Sequence, residues 1–497
     1  MSLSPSPGAL ARLAVIAAVY ALVAWFSLGY DDEFYNIALV ERSHTLLATL
    51  AASTAADVHP VGQYALDFSL YWLLGDWSGV RVAGALALAF ALWRLVETQL
   101  PTPRTRWLAG LPLVALHPTV LMWGSGLRWT GYFTALYVAA FLWAKTPQRG
   151  RGVYWGGLAA LLVVLLYLNF YALVLAVPLV AFAVHQRRGG GRAELRPAAL
   201  ALALAAIAAL PPVWMLATRQ ARHIPLQTGS LLTGVSEGGQ AFLVNFGLFP
   251  LSWPGLACAA LTAALAAGWL YAGLRRGRLD PTTLLVVASV ALLIGCGLGA
   301  KARNFTPLLP VFMASLAAQA LRPETPRAPR GALAGLAALQ AIGLYHVAAH
   351  VDTAKGAWNY PVAATLAAVR DETAACGGRL VVAVYDPTFS YYLAKTPGVR
   401  VVGPFAADAS PRVPAGECLV ALRTFRGSFA PSFLDRMIDE LPASAANTRT
   451  LGPDRYAAIK RRFDPDVPDA YVILDIFGPL AEARELPSWR APGLPRP

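Results

Sequence analysis

Residues Leu10–Tyr30, LARLAVIAAVYALVAWFSLGY, hold a single charged side chain, Arg12, and end directly on Asp31-Asp32-Glu33. One α-helix of that length and composition covers the roughly 30 Å hydrocarbon core of a bilayer. The run exceeds the core of a signal peptide and lacks a small-residue cleavage site ahead of the acids, so it is expected to remain as a membrane helix. Comparable runs follow at Val80–Val96, Trp107–Trp123, Trp129–Ala144, Pro197–Ala217, Pro254–Leu274, Pro281–Ala300, Phe305–Leu321 and Ala332–His350. Val153–His185 is too long for one crossing and has basic clusters at both ends, which predicts a hairpin of two helices turning near Asn169. The expected fold is an α-helical polytopic membrane protein with about eleven transmembrane helices.

Composition agrees. Of 497 residues, 57% are hydrophobic and 14% charged, where a soluble protein carries about 25% charged residues. The net charge of +13 raises nucleic acid as a partner, but its distribution argues against one. Residues 351–497 are nearly balanced at +1, and residues 1–350 carry +12 in short clusters between apolar runs instead of on one folded face. With the N-terminus inside, the inner loops hold 17 basic residues against Glu97, Glu194, Asp280 and Glu324. The positive-inside rule therefore predicts a cytoplasmic N-terminus, and an odd number of crossings puts the C-terminal part outside.

His59–Gly75 resembles a further span, but counting it would invert every later loop, so it is expected to be re-entrant or to lie in the outer interface. Its line Gln63, Asp67, Tyr71 could face lipid or sugar. Ile37–Leu50 is expected as a second interfacial helix. Residues 1–350 thus form the transmembrane domain, with a first outer loop of about 31–78. Residues 351–497 form a smaller outer-face α/β domain with a helix at Pro361–Arg370 and strands at Arg379–Tyr385, Val399–Val402, Cys418–Arg423 and Ala470–Phe477. Cys376 and Cys418 both fall in that domain, and either a disulfide or two thiols is compatible with their positions.

The outer face concentrates the chemistry. Asp31, Asp32 and Glu33 leave the first helix together beside low-dielectric lipid, where mutual repulsion and desolvation raise carboxyl pKa values. Asp57 and His59 open the presumptive interfacial helix. Arg128, with Trp129 and Tyr132, lies in the next outer loop, and Lys301 and Arg303 lie before the tenth span. Cations converging with acids on one outer face fit an anionic ligand at the membrane surface.

These residues carry a resemblance. Residues 1 to about 325 resemble the GT-C superfamily of polytopic glycosyltransferases that use polyprenyl-phosphate sugars, among them protein O-mannosyltransferases, lipid A aminoarabinose transferases and lipid A-core galacturonosyltransferases. Asp31-Asp32-Glu33-Phe34-Tyr35 is similar to the family's Asp-Glu-x-x-Tyr, with Asp32 in the Glu slot. Asp57, His59, Pro60 and Tyr64 match its Asp-x-His-Pro-Pro-Leu-Tyr-Tyr, with Val61, Gly62 and Gln63 departing from it. Gly75, Val80, Arg81 and Gly84 follow its Gly…Leu-Arg-x-x-Ser. Arg128 and Tyr132 resemble Glu-x-Arg-x-Tyr, with Gly126 in the Glu position. Arg303, Asn304, Phe305, Pro307 and Pro310 resemble Arg-Tyr-x-x-Pro-x-x-Pro.

The resemblance implies transfer of a sugar from a polyprenyl phosphate to a glycan, lipid or protein acceptor on the outer face of a bacterial inner membrane. It implies Asp31 as base and Asp32 as its orienting partner, and Lys301, Arg303 and Arg128 as ligands of the donor phosphate. Tyr35, Asp57, His59, Gln63, Tyr64 and Asp67 would position substrate. The family includes metal-dependent and metal-free members; if the reaction uses a divalent cation, Mg or Mn, Asp31 and Asp32 are the residues to hold it. The competing reading is a transporter or flippase of lipid or lipid-linked sugar, which favours mid-membrane ionisable groups and an internal repeat.

Overall fold

The computed structural model describes residues 5–26, 31–56, 60–127, 129–187, 193–215, 218, 231–232, 234–235, 253–275, 280–298, 302–322, 325, 327–349, 361–384, 386–403, 412–426, 447–451 and 470–485. The chain forms two compact units, one of Met1–Ser27 with Asp57–Ala354 and one of Leu28–Ala56 with Lys355–Pro497. The first outer loop, expected to belong entirely to the membrane domain, is therefore divided between the units.

The first unit is helical. Its helices are α1 (Pro7–Phe26), α4 (Gly62–Leu74), α5 (Trp77–Gln99), α6 (Pro103–Ala115), α7 (Pro118–Gly124), α8 (Trp129–Ala144), α9 (Arg151–Leu168) and α10 (Ala172–Gln186). It continues with α11 (Leu195–Met215), α12 (Trp253–Arg275), α13 (Pro281–Gly295), α14 (Leu309–Ala320) and α15 (Arg327–Ala349). Among the described residues, α1, α5, α9 and α11 are long and apolar enough to cross a membrane. The α6–α7 pair qualifies as a bent fifth, and α10, α13 and α14 are shorter apolar helices.

The expected hairpin is present. Helix α9 stops at Asn169, whose backbone is extended and whose Oδ1 accepts from the Tyr171 amide at 3.0 Å, and α10 starts three residues later, at Ala172. Trp107–Trp123, expected as one span, is instead broken with a 53° bend between α6 and α7. Pro112 lies within a π-helical turn of α6, and Pro118 disfavours helical backbone at His117 while opening α7. Phe305–Leu321, also expected as one span, begins with a 3₁₀ turn at Ala302–Phe305 and becomes α-helical only from Leu309.

Side-chain hydrogen bonds to the main chain tie α1 into the bundle. Trp93 Nε1 donates to the Ala9 carbonyl at 2.9 Å, and Tyr20 Oη donates to Ala115 at 3.0 Å. At the Gln99 end of α5, Glu97 accepts from Arg12 at 2.6 Å and from Arg106 at 2.7 Å, and Trp107 lies 5.6 Å from the Arg12 guanidinium. Nearby, Glu194 accepts from Arg151, Arg187 and Trp155 Nε1 at 2.7–3.1 Å, joining the starts of α9 and α11 to the end of α10.

The second unit begins with α2 (Asp31–Ser43) and α3 (Leu46–Ala56). This corrects the single helix expected at Ile37–Leu50. His44 takes a positive φ of 51°, and Thr45 Oγ1 accepts from the Ala48 amide at 3.2 Å, so one helix ends and another is capped there. The C-terminal part contains α16 (Val362–Ala375), β1 (Leu380–Val384), α17 (Pro387–Leu393), β2 (Val399–Val402), β3 (Arg412–Val413), β4 (Cys418–Arg426), β5 (Asn447–Leu451), β6 (Ala470–Pro479) and β7 (Arg484–Glu485). The main sheet has the order β2-β1-β4-β6-β5, with β1 parallel to β2 and β4, and β6 antiparallel to β4 and β5. Strand β1 is buried along its whole length, with Leu380, Val382 and Val384 on one face and Val381 and Ala383 on the other. A sheet covered on both faces reads as a continuous apolar run. Cys376 and Cys418 form a disulfide between the end of α16 and the start of β4. Closing a segment of 42 residues in sequence restricts the unfolded chain by about 4 kcal/mol in the chain-entropy account.

Candidate functional site

The acids that follow the first apolar run form the opening turn of α2. Placed there, negative charge is favoured by the positive end of the helix dipole, which offsets mutual repulsion. The side chains of Asp31 and Asp32 lie outside the described residues. The third acid, Glu33, is buried, as is Asn36, while Tyr35 is half-buried. Within the same unit Phe34 packs between two tyrosines of α17, its ring centroid 5.1 Å from Tyr391 and 5.3 Å from Tyr392. Helix α17 is itself fixed by Asp386, whose Oδ1 accepts from the amides of Thr388 and Phe389 at its N-terminus. The turn carrying Asp31 and Asp32 is thus anchored on the C-terminal α/β sheet.

The first unit assembles a second group of candidates. Gln63 and Asp67 lie on α4, and Gln63 Nε2 donates to Asp67 Oδ2 at 3.2 Å. Both are fully buried, as is Tyr64, while Tyr71 stacks on Trp77 with centroids 4.4 Å apart. Gln63 and Asp67 of the line expected to face lipid or sugar are therefore turned into the protein, where α4 packs on α5 and α9, while Tyr71 is half-buried. Gly62 allows that packing, and Gly84 lets α5 approach α8. A Cβ on Gly62 would collide with the Tyr167 carbonyl at the end of α9, and one on Gly84 of α5 would sit 2.9 Å from the Tyr132 ring of α8.

Arg303 lies in the 3₁₀ turn before α14, half-buried. Its charge acts on Tyr171 in the α9–α10 turn, and the Asn304 side chain lies toward the same phenol. Burial pushes the Tyr171 hydroxyl above the usual tyrosine range, with Arg303 and Asn304 opposing it. Asn304 Nδ2 also donates to the Leu298 carbonyl at 2.6 Å, which pins the turn. The Tyr171 ring meets Trp129 edge-on at 5.6 Å, and Trp129 is the residue after Arg128. Three segments far apart in sequence, at 129–133, 169–172 and 302–305, therefore converge. Sequence reasoning missed Tyr171; its signal was the predicted turn near Asn169, which already placed Phe170 and Tyr171 on the same face as the cationic loops. Arg128, Asp57, His59 and Lys301 lie outside the described residues. Among the described residues no three His, Cys, Asp or Glu side chains are gathered as metal ligands.

Apolar helices with a kinked pair, acids immediately after the first helix and a terminal α/β sheet point to the class: the chain is an integral membrane protein with a polytopic, GT-C-like fold. Among solved structures it is similar to ArnT from Cupriavidus metallidurans bound to undecaprenyl phosphate, with a TM-score of 0.54, 12% identity, and coverage of 95% of this chain and 98% of that one. It is also similar to ArnT from Cupriavidus metallidurans in the apo state, with a TM-score of 0.50, 12% identity, and coverage of 94% and 97%. At that identity the likeness is one of fold. No family model and no curated protein sequence matches the chain.

Proposed function

We propose that the protein is a membrane glycosyltransferase that moves a sugar from a polyprenyl-phosphate donor to a hydroxyl or similar nucleophile of a glycan, lipid or protein acceptor on the outer face of a bacterial inner membrane. The observation that carries this reading is the cluster of Arg303, Asn304, Tyr171 and Trp129 in a fold whose solved example holds undecaprenyl phosphate. The Cys376–Cys418 disulfide supports an outer location for the second unit, since such bonds persist in oxidising compartments.

In the proposed reaction the acceptor oxygen bonds to the anomeric carbon as the bond from that carbon to the phosphate oxygen breaks. Asp31 takes the acceptor proton, and polyprenyl phosphate departs. In-line displacement gives inversion. Asp32 orients Asp31, and the two are the residues to hold Mg or Mn if the reaction uses one. Arg303, with Lys301 and Arg128, offsets the charge developing on the leaving phosphate. Tyr35, Asp57 and His59 position the substrates. Gln63, Asp67 and Tyr64, buried on α4, position substrate with them.

The test is incubation of purified protein with a panel of polyprenyl-phosphate sugars, following release of polyprenyl phosphate. The expected result is release with at least one donor, lost in Asp31→Asn and retained in an exposed-loop variant such as Gln148→Ala. Donor binding without release across the panel, together with movement of the donor across vesicles, would establish the flippase reading instead.

A further inference from the structure

Helices α5 and α8 run parallel, with Gly84 against Tyr132 at one end and Lys145 Nζ donating to Gln99 at the other. Between them lies a partly open cavity of about 770 Å³, within the usual range for ligand pockets. Small residues, Ala87 and Ala91 of α5 with Ala135 and Ala139 of α8, keep its middle hollow. From Gly84 to Gln99 it extends about 22 Å at the helical rise of 1.5 Å per residue, longer than one leaflet of hydrocarbon at roughly 15 Å.

The Gln99 end of the groove is lined by Arg94, Lys145 and Arg149, with the hydroxyls of Thr98 and Thr146 beside them. Elsewhere at this end arginines meet carboxylates: Glu97 takes two and Glu194 takes two. None of the three groove cations has a carboxylate within ion-pair distance among the described residues. Lys145 binds an amide, Arg149 lies 4.0 Å over the Trp143 ring and donates to Thr146 Oγ1, and Arg94 is exposed beside Trp93. Half-buried Lys145 sits below the usual lysine range because of its desolvation, with the charge of Asp280 opposing. An anion at this point would relieve that cost.

We infer that the groove binds one chain of an anionic glycerophospholipid, with its phosphate at Arg94, Lys145 and Arg149. An apolar trough ending in cations and hydroxyls matches an acyl chain ending in a phosphodiester, and basic pockets between membrane helices take acidic headgroups in this way. A free phosphate has no use for the trough, and a headgroup bearing a quaternary amine would place a like charge among the three cations. The three cations lie at the Gln99 end of the groove, while Tyr132 at its other end belongs to the segment that meets the Arg303 cluster; binding of a phospholipid at those cations does not require the proposed transfer reaction.

The experiment uses the full chain in nanodiscs of equimolar phosphatidylglycerol and phosphatidylcholine, released into detergent and weighed by native mass spectrometry. One phosphatidylglycerol is expected to be retained, about tenfold enriched over phosphatidylcholine and not displaced by millimolar inorganic phosphate. The triple variant Arg94→Gln, Lys145→Gln, Arg149→Gln is expected to retain both lipids equally, with unchanged elution volume and thermal midpoint. Ala139→Trp, which blocks the trough and leaves the cations, is expected to retain neither. Equal retention of the two lipids by the unaltered protein overturns the inference, as does undiminished phosphatidylglycerol in the triple variant. Displacement by inorganic phosphate reassigns the cations to a soluble anion. Retention of added undecaprenyl phosphate alone, unaffected by the triple variant, reassigns the trough to the lipid carrier with its phosphate at the opposite end, and the inference fails.

Discussion

At the Gln99 end of α5 each buried carboxylate is clasped by two arginines, Glu97 by Arg12 and Arg106, and Glu194 by Arg151 and Arg187. At the Gly84 end the contacts are of another kind: Gln63 donates to Asp67, and Arg303 acts on the phenol of Tyr171. The first arrangement saturates its charges. A carboxylate with two guanidiniums and an indole N–H has little capacity left for a ligand, and its value lies in locking three helix ends together. The second arrangement sets a cation beside a phenol and an indole. Under the proposed function, the first group of cations holds the bundle together and the second faces the donor phosphate.

Two substitutions break the comparison most sharply. Arg303→Ala is expected to lower turnover about 10²–10³-fold, the usual cost of removing one donor to a developing anion, with a thermal midpoint close to that of the unaltered protein. Release of polyprenyl phosphate, read beside a melting curve, checks both halves. Glu194→Gln should do the reverse. Removing the charge leaves Arg187 and Arg151 facing an amide, and breaking a buried pair costs about 3 kcal/mol. Thermal or denaturant unfolding in detergent reads that loss, while turnover per folded molecule should stay within about twofold. A variant of Glu194 that loses activity without losing stability would show that the two ends are not separate in function.

The same division explains what could be read in advance. Apolar runs report membrane helices because every lipid-exposed residue must be apolar, so the segments at Leu10–Tyr30 and Val80–Val96 are visible without any tertiary knowledge. The hairpin at Asn169 follows from length and flanking charge alone. The kink at His117 leaves hydropathy unchanged, and its only traces are Pro112 and Pro118. The inward turn of Gln63 and Asp67 depends on Gly62 letting α4 approach α9, which no polar periodicity shows. Strand β5, Asn447–Leu451, is an exposed polar edge strand recognisable only by its pairing with β6. Attachment of residues 28–56 to the second unit rests on Phe34 meeting Tyr391 and Tyr392 across most of the chain.

That attachment offers a smaller test. Phe34→Leu keeps an apolar side chain but removes the ring contacts, worth about 1 kcal/mol beyond the area they bury. Within the second unit it is expected to loosen α2 on α17, read as faster amide exchange over Asp31–Ser43. If the acids of α2 act in catalysis, turnover should fall several-fold while donor binding persists. Faster exchange with unchanged turnover would separate the position of α2 from the chemistry.

The smallest effect is set by pH. Burial works to raise the Glu194 carboxyl, but the hydrogen bonds from Trp155 and Arg151 and the charge of Arg187 outweigh it and hold the group below the usual carboxylate range. A carboxylate whose pKa is depressed by folding contributes stability that is complete above its unfolded value, near 4.5, and lost as pH falls through the folded value. Arginine stays charged throughout, so only the glutamate titrates. The stability gap between the unaltered protein and Glu194→Gln should therefore be constant from neutral pH down to about pH 5 and narrow below about pH 4.5. Arg303→Ala, measured in parallel, shows whether the narrowing is specific to Glu194. A gap that narrows instead between pH 6 and 8 would mean a histidine governs this end of the bundle, and the double-arginine clasp would lose its place as the element that locks it.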